Sequence, residues 1–261
     1  MKPGTSKKQR KLAALIKKSG NTIRIDDAVR VFDIDRQKAA KLLAGWHNQG
    51  NLRRISHGLY VPVNPTALGR EQVLDDPWVI VDELYAPGYV GGWSALEYWG
   101  LTEQLFRSVC VLTAKRTKYG ERTHQGVSFF VKHIPENQLF GTKAVWREQA
   151  KIQLSDLNKT VLDIVDDPDL GAGLQHVTDV LKTYLKDHAT RENLELLLSH
   201  ADKTGNGALY KKLGYLSERC DFPFWFIEEC HNRRTQGYAF LGDRKGDNRL
   251  VTKWRLWVPK G

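Results

Sequence analysis

The sequence predicts an α+β protein, and three patterns carry that prediction. Between residues 6 and 49, apolar residues recur at helical spacing in three short runs, followed by alternating apolar and polar residues at 52–63. Residues 108–113 (SVCVLT) and 127–133 are apolar and β-rich. From Asp156 the helical period returns and lasts to about Arg219, before two β-rich runs near the C-terminus.

At the N-terminus, Leu12, Leu15 and Ile16 share one face of a helix over residues 6–19, with Gly20 and Asn21 as its stop. Lys7, Lys8, Arg10, Lys11, Lys17 and Lys18 surround that stripe. Residues 22–25 read as a brief strand. Asp26 is expected to cap a second helix, whose Ala28, Val29 and Phe32 share a face with Ile25. Asp33-Ile34-Asp35 makes a turn, and Asp35 caps a third helix running to about Gln49. Its Ala39, Leu42, Leu43 and Trp46 face inward, while Gln37, Lys38, Lys41, Gly45 and Asn48 form the opposite face. Gly50 is the stop. NLRRISHGLYVPVNP (51–65) is then a tight ribbon ended by two prolines. Helix, strand, helix, turn, helix and ribbon is the order of a winged helix-turn-helix, with residues 52–63 as the wing.

Charge gives that module a partner. Residues 1–65 hold 14 Lys/Arg against only Asp26, Asp27, Asp33 and Asp35, which is the whole net charge of +10. Residues 66–261 hold 26 charges of each sign. A basic module beside a neutral body implies a polyanion, and here double-stranded DNA. A helix about 10–12 Å across fits the major groove. Arg36, Gln37, Lys38 and Lys41 are the candidates for base edges, since Gln pairs bidentately with adenine and Arg with guanine. Arg53, Arg54 and His57 on the wing are expected along the backbone or in the minor groove. Lys7, Lys8 and Lys11, read as part of a flexible arm, add phosphate contacts. Solvation alone also produces charged helix faces, but pattern, order and charge agree here.

Two domains are expected, residues 1–65 and 66–261, joined through Pro62, Pro65 and residues 66–70. In the second, a mixed α/β domain with several helices, Asp76-Pro77 opens a helix through Tyr85 that Pro87-Gly88 ends. GYVGGWSALEYWGL (88–101) places a glycine pair before a short helix carrying Trp93, Leu96 and Trp99, closed by Gly100. Between the strands at 108–113 and 127–133, KRTKYGERTHQG reads as a mobile hairpin loop, and its Lys115, Arg116, Lys118 and Arg122 form a second candidate nucleic-acid contact. Leu157, Val161, Leu162 and Val165 make one helical stripe; Leu174, Val177, Leu181, Tyr184 and Leu185 make another. Helices follow at residues 191–200 and 207–219. FPFWFI (222–227) is expected in the core. GYAFLGDRKGDNRLVTKWRLWVP predicts a terminal β-hairpin turning at its Gly-Asp cluster.

Other classes find little support. LAALI is too short for a signal-peptide core, and no segment approaches bilayer length. Cys110, Cys220 and Cys230 form no disulfide framework, so a soluble cytoplasmic protein is expected, without contact to a membrane. Asp163, Asp166, Asp167 and Asp169 are the best metal suspects, but Asp-Asp-Pro-Asp is turn chemistry at a helix end. A nuclease reading would need an acid-x-lysine partner, and the triplet at Asp243-Arg244-Lys245 falls in an expected turn. Cys220, Cys230 and His231 lack zinc spacing. HExxH, GxSxG and GxxxxGK[ST] are absent. The expectation is a chain that is not an enzyme, with no cofactor and no metal.

The chain resembles the AbiEi antitoxins of type IV toxin–antitoxin systems, prokaryotic regulators of the abortive-infection kind. The matching pieces run in order: GNLRRISHGLYVPVNP, YVGGWSALEYWGL, VCVLTAKR, LNKTVLDIVDDPDLGAGLQHVTDVLK, GNGALYKKLGYLSERC and WRLWV. The resemblance, which takes in the whole winged helix that the first piece ends, spans almost the whole chain. The resemblance implies a winged helix that binds inverted repeats in its own promoter and represses that operon. It implies a C-terminal part that opposes a toxin resembling nucleotidyltransferases, by contact or indirectly. Arg36, Lys38, Lys41, Arg53 and Arg54 carry over as DNA contacts, and no catalytic residue does. The rival readings are a stand-alone winged-helix transcription factor with a ligand-sensing or dimerising body, and a metal-dependent nuclease using the acids at 163–169.

Overall fold

The computed structural model describes residues 7–20, 22–63, 76–124, 126–147 and 150–260. It is mixed α+β, with ten α-helices and three sheets among the described residues, and it ends in a β-hairpin as the sequence predicts. Contacts divide the chain into two units. One comprises Met1–Leu84, Glu121–Phe129 and Val145–Ile152; the other comprises Tyr85–Gly120, Phe130–Ala144 and Gln153–Gly261.

The first unit begins with α1 (Lys7–Ser19), β1 (Ile23–Arg24), α2 (Ile25–Phe32) and α3 (Arg36–Asn48), then the hairpin β2 (Leu52–Ser56) and β3 (Leu59–Pro62). Residues 7–11 are not a flexible arm but the first turns of α1. Leu12, Leu15 and Ile16 dock that helix on the core, and the preceding turns continue its hydrogen bonding. Nor does Asp26 cap α2. The helix starts at Ile25, which is already packed inward, and Asp27 Oδ2 accepts the Arg24 backbone N–H at 2.7 Å. Asp35 does cap α3, its Oδ1 accepting the Lys38 N–H at 2.8 Å. β1 pairs antiparallel with β3, and β3 with β2, matching Ile23 to Tyr60 and Arg53 to Val61. Leu15, Ile23, Ala28, Ala39, Leu43, Trp46, Leu52 and Tyr60 form the core beneath these elements. Asn21, Pro65 and the expected linker at 66–70 lie outside the described residues.

At 76–85 the single expected helix is a 3-10 turn, Pro77–Ile80, leading into α4 (Val81–Tyr85); Asp76 caps it through the Trp78 N–H at 2.9 Å. β4 (Gly88–Val90) and α5 (Gly92–Tyr98) follow. β5 (Ser108–Thr113) and β7 (Val127–His133) fall where the sequence places them. The expected mobile loop between them instead contains β6 (Gly120–His124). Its residues GERTH alternate in exposure, but with no apolar member the period is invisible in hydropathy. β8 (Thr142–Arg147) and β9 (Ala150–Ser155) had no counterpart in the sequence reading. The sheet order is β6-β7-β5-β4-β9-β8.

The second unit continues with α6 (Leu157–Asp166), α7 (Leu174–His188), α8 (Arg191–Thr204), α9 (Gly207–Arg219) and α10 (Phe224–Arg233). FPFWFI divides its side chains: Phe222 and Phe226 are buried, whereas Phe224 is 77% exposed. The last strands are β10 (Ala239–Phe240), β11 (Asn248–Val251) and β12 (Leu256–Pro259), in the order β10-β12-β11. The hairpin is β11–β12 and turns at residues 252–255. The Gly-Asp cluster, expected as its turn, is the connection from β10, which lies parallel to β12. Trp254 is fully buried, and only a glycine at 214 admits it, since a Cβ there would lie 2.2 Å from its ring.

Within this core α6 buries two charges. Lys159 is 2% and Asp163 8% exposed. The Lys159 ammonium donates to Asp163 and, at 2.8 Å, to the Tyr89 hydroxyl, which in turn donates to Asp163 Oδ2 at 2.9 Å. Removing one partner strands the other charge. Asp163→Ala should cost about 3–5 kcal/mol in urea unfolding, and the apolar pair Lys159→Met/Asp163→Leu markedly less. Equal losses would contradict a paired, desolvated interaction.

Candidate nucleic-acid interface

Three groups of basic side chains stand on the first unit. On α3, burial of Ala39, Leu43 and Trp46 turns Gln37, Lys38, Lys41 and Asn48 into solvent. Arg36 is also exposed, but it forms an ion pair with Asp26 of α2. Lys38 Nζ lies 3.0 Å from Asp35 Oδ2. The side chains of Gln37 and Lys41 have no hydrogen-bond or ion-pair partner among the described residues. Exposed ion pairs such as those of Arg36 and Lys38 are worth about 0–1 kcal/mol, so a phosphate displaces either carboxylate at little loss.

The hairpin separates its two arginines. Arg54 Nε donates to the Ser56 carbonyl at 3.2 Å, and its Nη2 lies 3.0 Å from Nδ1 of the exposed His57. Arg53 points the other way, and both arginines are half-buried. Its Nη1 is buried without a hydrogen-bond partner, and its Nη2 packs against Gly126 in the β6–β7 turn, 3.2 Å from where a Cβ would stand. Gly126 holds φ +82°, so both backbone and space call for glycine. The sequence carries no signal for that contact, because it joins the hairpin to a turn of a different sheet, distant in the chain.

On α1, Lys7, Lys8 and Lys11 are exposed, with Lys11 Nζ 5.8 Å from the Phe32 ring centroid. Among the described residues no hydrogen bond or ring contact joins the named candidates of α1, α3 and the hairpin to one another; α3 meets the hairpin through His47, whose Nδ1 lies 3.1 Å from the Leu52 carbonyl. The sequence also missed Asp26 as the partner of Arg36, and Glu83, which pairs with Arg24 and accepts from Thr22 Oγ1 at 3.2 Å.

The acids at 163–169 are each engaged separately. Asp166 accepts from Asn206 at 3.0 Å and from Lys212 at 3.1 Å; Asp167 pairs with Lys132 at 2.8 Å; Asp169 accepts from the Tyr119 hydroxyl at 3.3 Å. No group of three His, Cys, Asp or Glu side chains is placed to hold a metal ion among the described residues. Cys110, Cys220 and Cys230 are free and buried, and burial pushes each thiol up from its ordinary pKa. Lys115, Arg116 and Lys118 are exposed just before β6, and Arg122 is half-buried within it. No described helix is long and apolar enough to cross a membrane.

No protein-family model and no curated protein matches the chain. Its fold is similar to the crystal structure of the RV2827C protein from Mycobacterium tuberculosis. The TM-score is 0.64 at 14% identity, over 98% of this chain and 92% of that one. At that identity the likeness concerns the fold alone.

The cap on α3 makes a pH prediction. Hydrogen bonding from the Lys38 backbone N–H, then from its side chain, holds the Asp35 carboxyl below its ordinary 3.8. A depressed folded pKa contributes stability above the ordinary value and loses it as pH falls through the folded one. Asparagine caps comparably without titrating. The advantage of the wild type over Asp35→Asn in thermal midpoint should therefore shrink below about pH 4. A difference constant down to about pH 2.5 would remove Asp35 from the cap.

Proposed function

We propose that this chain is a duplex-DNA-binding regulator in which residues 1–65 act as a winged helix-turn-helix. We further propose that it is an antitoxin of the AbiEi kind, repressing its own operon in the cytoplasm. Residues 66–261 then counter a nucleotidyltransferase-like toxin. One observation carries the reading: the entire net charge of +10 lies in residues 1–65, whose third helix turns Gln37, Lys38 and Lys41 outward from a buried inner face. Helix, strand, helix, helix and hairpin in that order, with β1 closing on β3, also suit it.

In this reading α3 lies in the major groove. Gln37 addresses adenine, and Arg36 exchanges Asp26 for guanine or phosphate. Arg54 and His57 follow the backbone from the hairpin, and Lys7, Lys8 and Lys11 add phosphate contacts from α1. Arg53, with one guanidinium nitrogen buried, braces the hairpin against Gly126. The antitoxin half of the proposal rests on the resemblance of those ordered pieces to the AbiEi antitoxins. No catalytic step, cofactor or metal belongs to it.

Duplex affinity should fall steeply with salt, by about 0.9 in log K per log salt for each phosphate neutralised. Lys38→Ala/Lys41→Ala should lower that slope by about two and Arg54→Ala by about one, while Arg53→Ala leaves the slope and lowers stability. Asp26→Asn, which frees Arg36, should tighten binding. A chain with no salt-dependent affinity for the DNA upstream of its own gene overturns the reading. For the antitoxin half, the Lys38→Ala/Lys41→Ala variant, impaired in repression, should still restore growth when co-expressed with the toxin encoded beside it. Loss of rescue together with loss of DNA binding would mean repression is the only activity.

A further inference from the structure

Within the first unit, a cleft of about 450 Å³ opens between the last turn of α1, the helical segment at 79–83 and strand β9. Its charged walls are Lys17, Lys18 and Lys151 on one side of the ledger and Asp82 and Glu83 on the other. Glu83 is already engaged by Arg24 and by Thr22. The three lysines are exposed and have no ion-pair partner among the described residues. Ser19 also lines the cleft, and its Oγ is buried without a hydrogen-bond partner. Helix polarity accounts for Lys17 and Lys18 at the C-terminal turn of α1. It does not account for Lys151, which β9 delivers from a distant part of the sequence. Three lysines thus line the cleft together with Asp82, a carboxylate with no hydrogen bond or ion pair among the described residues; burial, followed by the charge of Glu83, pushes its pKa up.

We propose that this cleft binds a phosphate group, held by the Lys17, Lys18 and Lys151 ammonium groups. Three lysines brought to one cleft from two elements suit a compact dianion better than any neutral ligand. The phosphate belongs either to the backbone of the DNA bound by α3 and the hairpin, in which case the inference rests on the proposed function, or to a free phosphorylated small molecule.

Inorganic pyrophosphate serves as the probe, titrated calorimetrically into the full chain at low salt. The wild type should bind it. Lys17→Ala/Lys18→Ala/Lys151→Ala should weaken binding by at least about tenfold, and Lys151→Ala alone severalfold. Asp82→Asn, which removes the opposing charge, should tighten it. Lys186→Ala/Lys245→Ala, two exposed cations on the second unit, should leave it unchanged. Absence of binding to the wild type overturns the proposal, as does undiminished binding to the triple variant. If the triple variant fails to fold, Lys151→Ala and Asp82→Asn must still shift affinity in opposite directions, or the site is rejected.

Duplex titration identifies the source. A salt slope lowered in the triple variant assigns the cleft to the DNA backbone. An unchanged slope with pyrophosphate binding lost assigns it to a small molecule. Should the chain bind no DNA at all, the proposed function falls while the pyrophosphate result still decides this site.

Discussion

Ala39, Leu43 and Trp46 cannot be buried without turning Gln37, Lys38 and Lys41 outward, because a helix of 3.6 residues per turn fixes both faces at once. The same small core takes Leu15 from α1, Ile23 from β1, and Leu52 and Tyr60 from the hairpin. All three sets of candidate DNA contacts therefore hang from one apolar cluster. A single large side chain such as Trp46 is worth about 3–5 kcal/mol to a core of this kind, a sizeable share of a domain's whole stability. Packing decides where the charges stand, and the charges contribute little to the packing.

The two kinds of ion pair in the molecule have different physical roles. Asp26 with Arg36 and Asp35 with Lys38 are solvated, so water already screens them and an incoming phosphate meets little competition. Lys159 with Asp163 is desolvated and closed by the Tyr89 hydroxyl, so neither charge is available to a ligand without disrupting α6. Exposed pairs keep cations oriented yet exchangeable. Buried pairs specify how a helix seats in its core. Arg53 lies between these cases, half-buried with one nitrogen unmatched, and structural support of the hairpin is its natural role.

Much of the fold could be read in the sequence where apolar residues set the period. α3 with its Asp35 cap, β5, β7 and the stripes of α6 and α7 all announce themselves through side chains that must be buried. β6 could not be read, because GERTH alternates exposure without alternating hydropathy. β8 and β9 are short, and their inward residues (Val145, Ile152 and Leu154) are interleaved with long polar ones. The hairpin turn was misplaced because Gly-Asp is a strong local turn signal, whereas the turn actually used places Arg255 at φ +50°. For the candidate interface, the exposed face of α3 was legible from periodicity. The engagement of Arg36 by Asp26, the inward course of Arg53 and the tie from Arg24 to Glu83 were not, since each depends on tertiary approach. The start of α2 two residues early shows the same limit: a buried Ile25 outweighed a favourable capping residue.

Lysine-acetylation footprinting of the full chain, read by mass spectrometry with and without the duplex upstream of its own gene, tests the central claim most directly. Bound DNA should slow acetylation of Lys38 and Lys41 on α3 and of Lys7 and Lys8 on α1, while Lys186 and Lys245 react as before. Unchanged reactivity at Lys38 and Lys41 in the presence of bound duplex would contradict that claim.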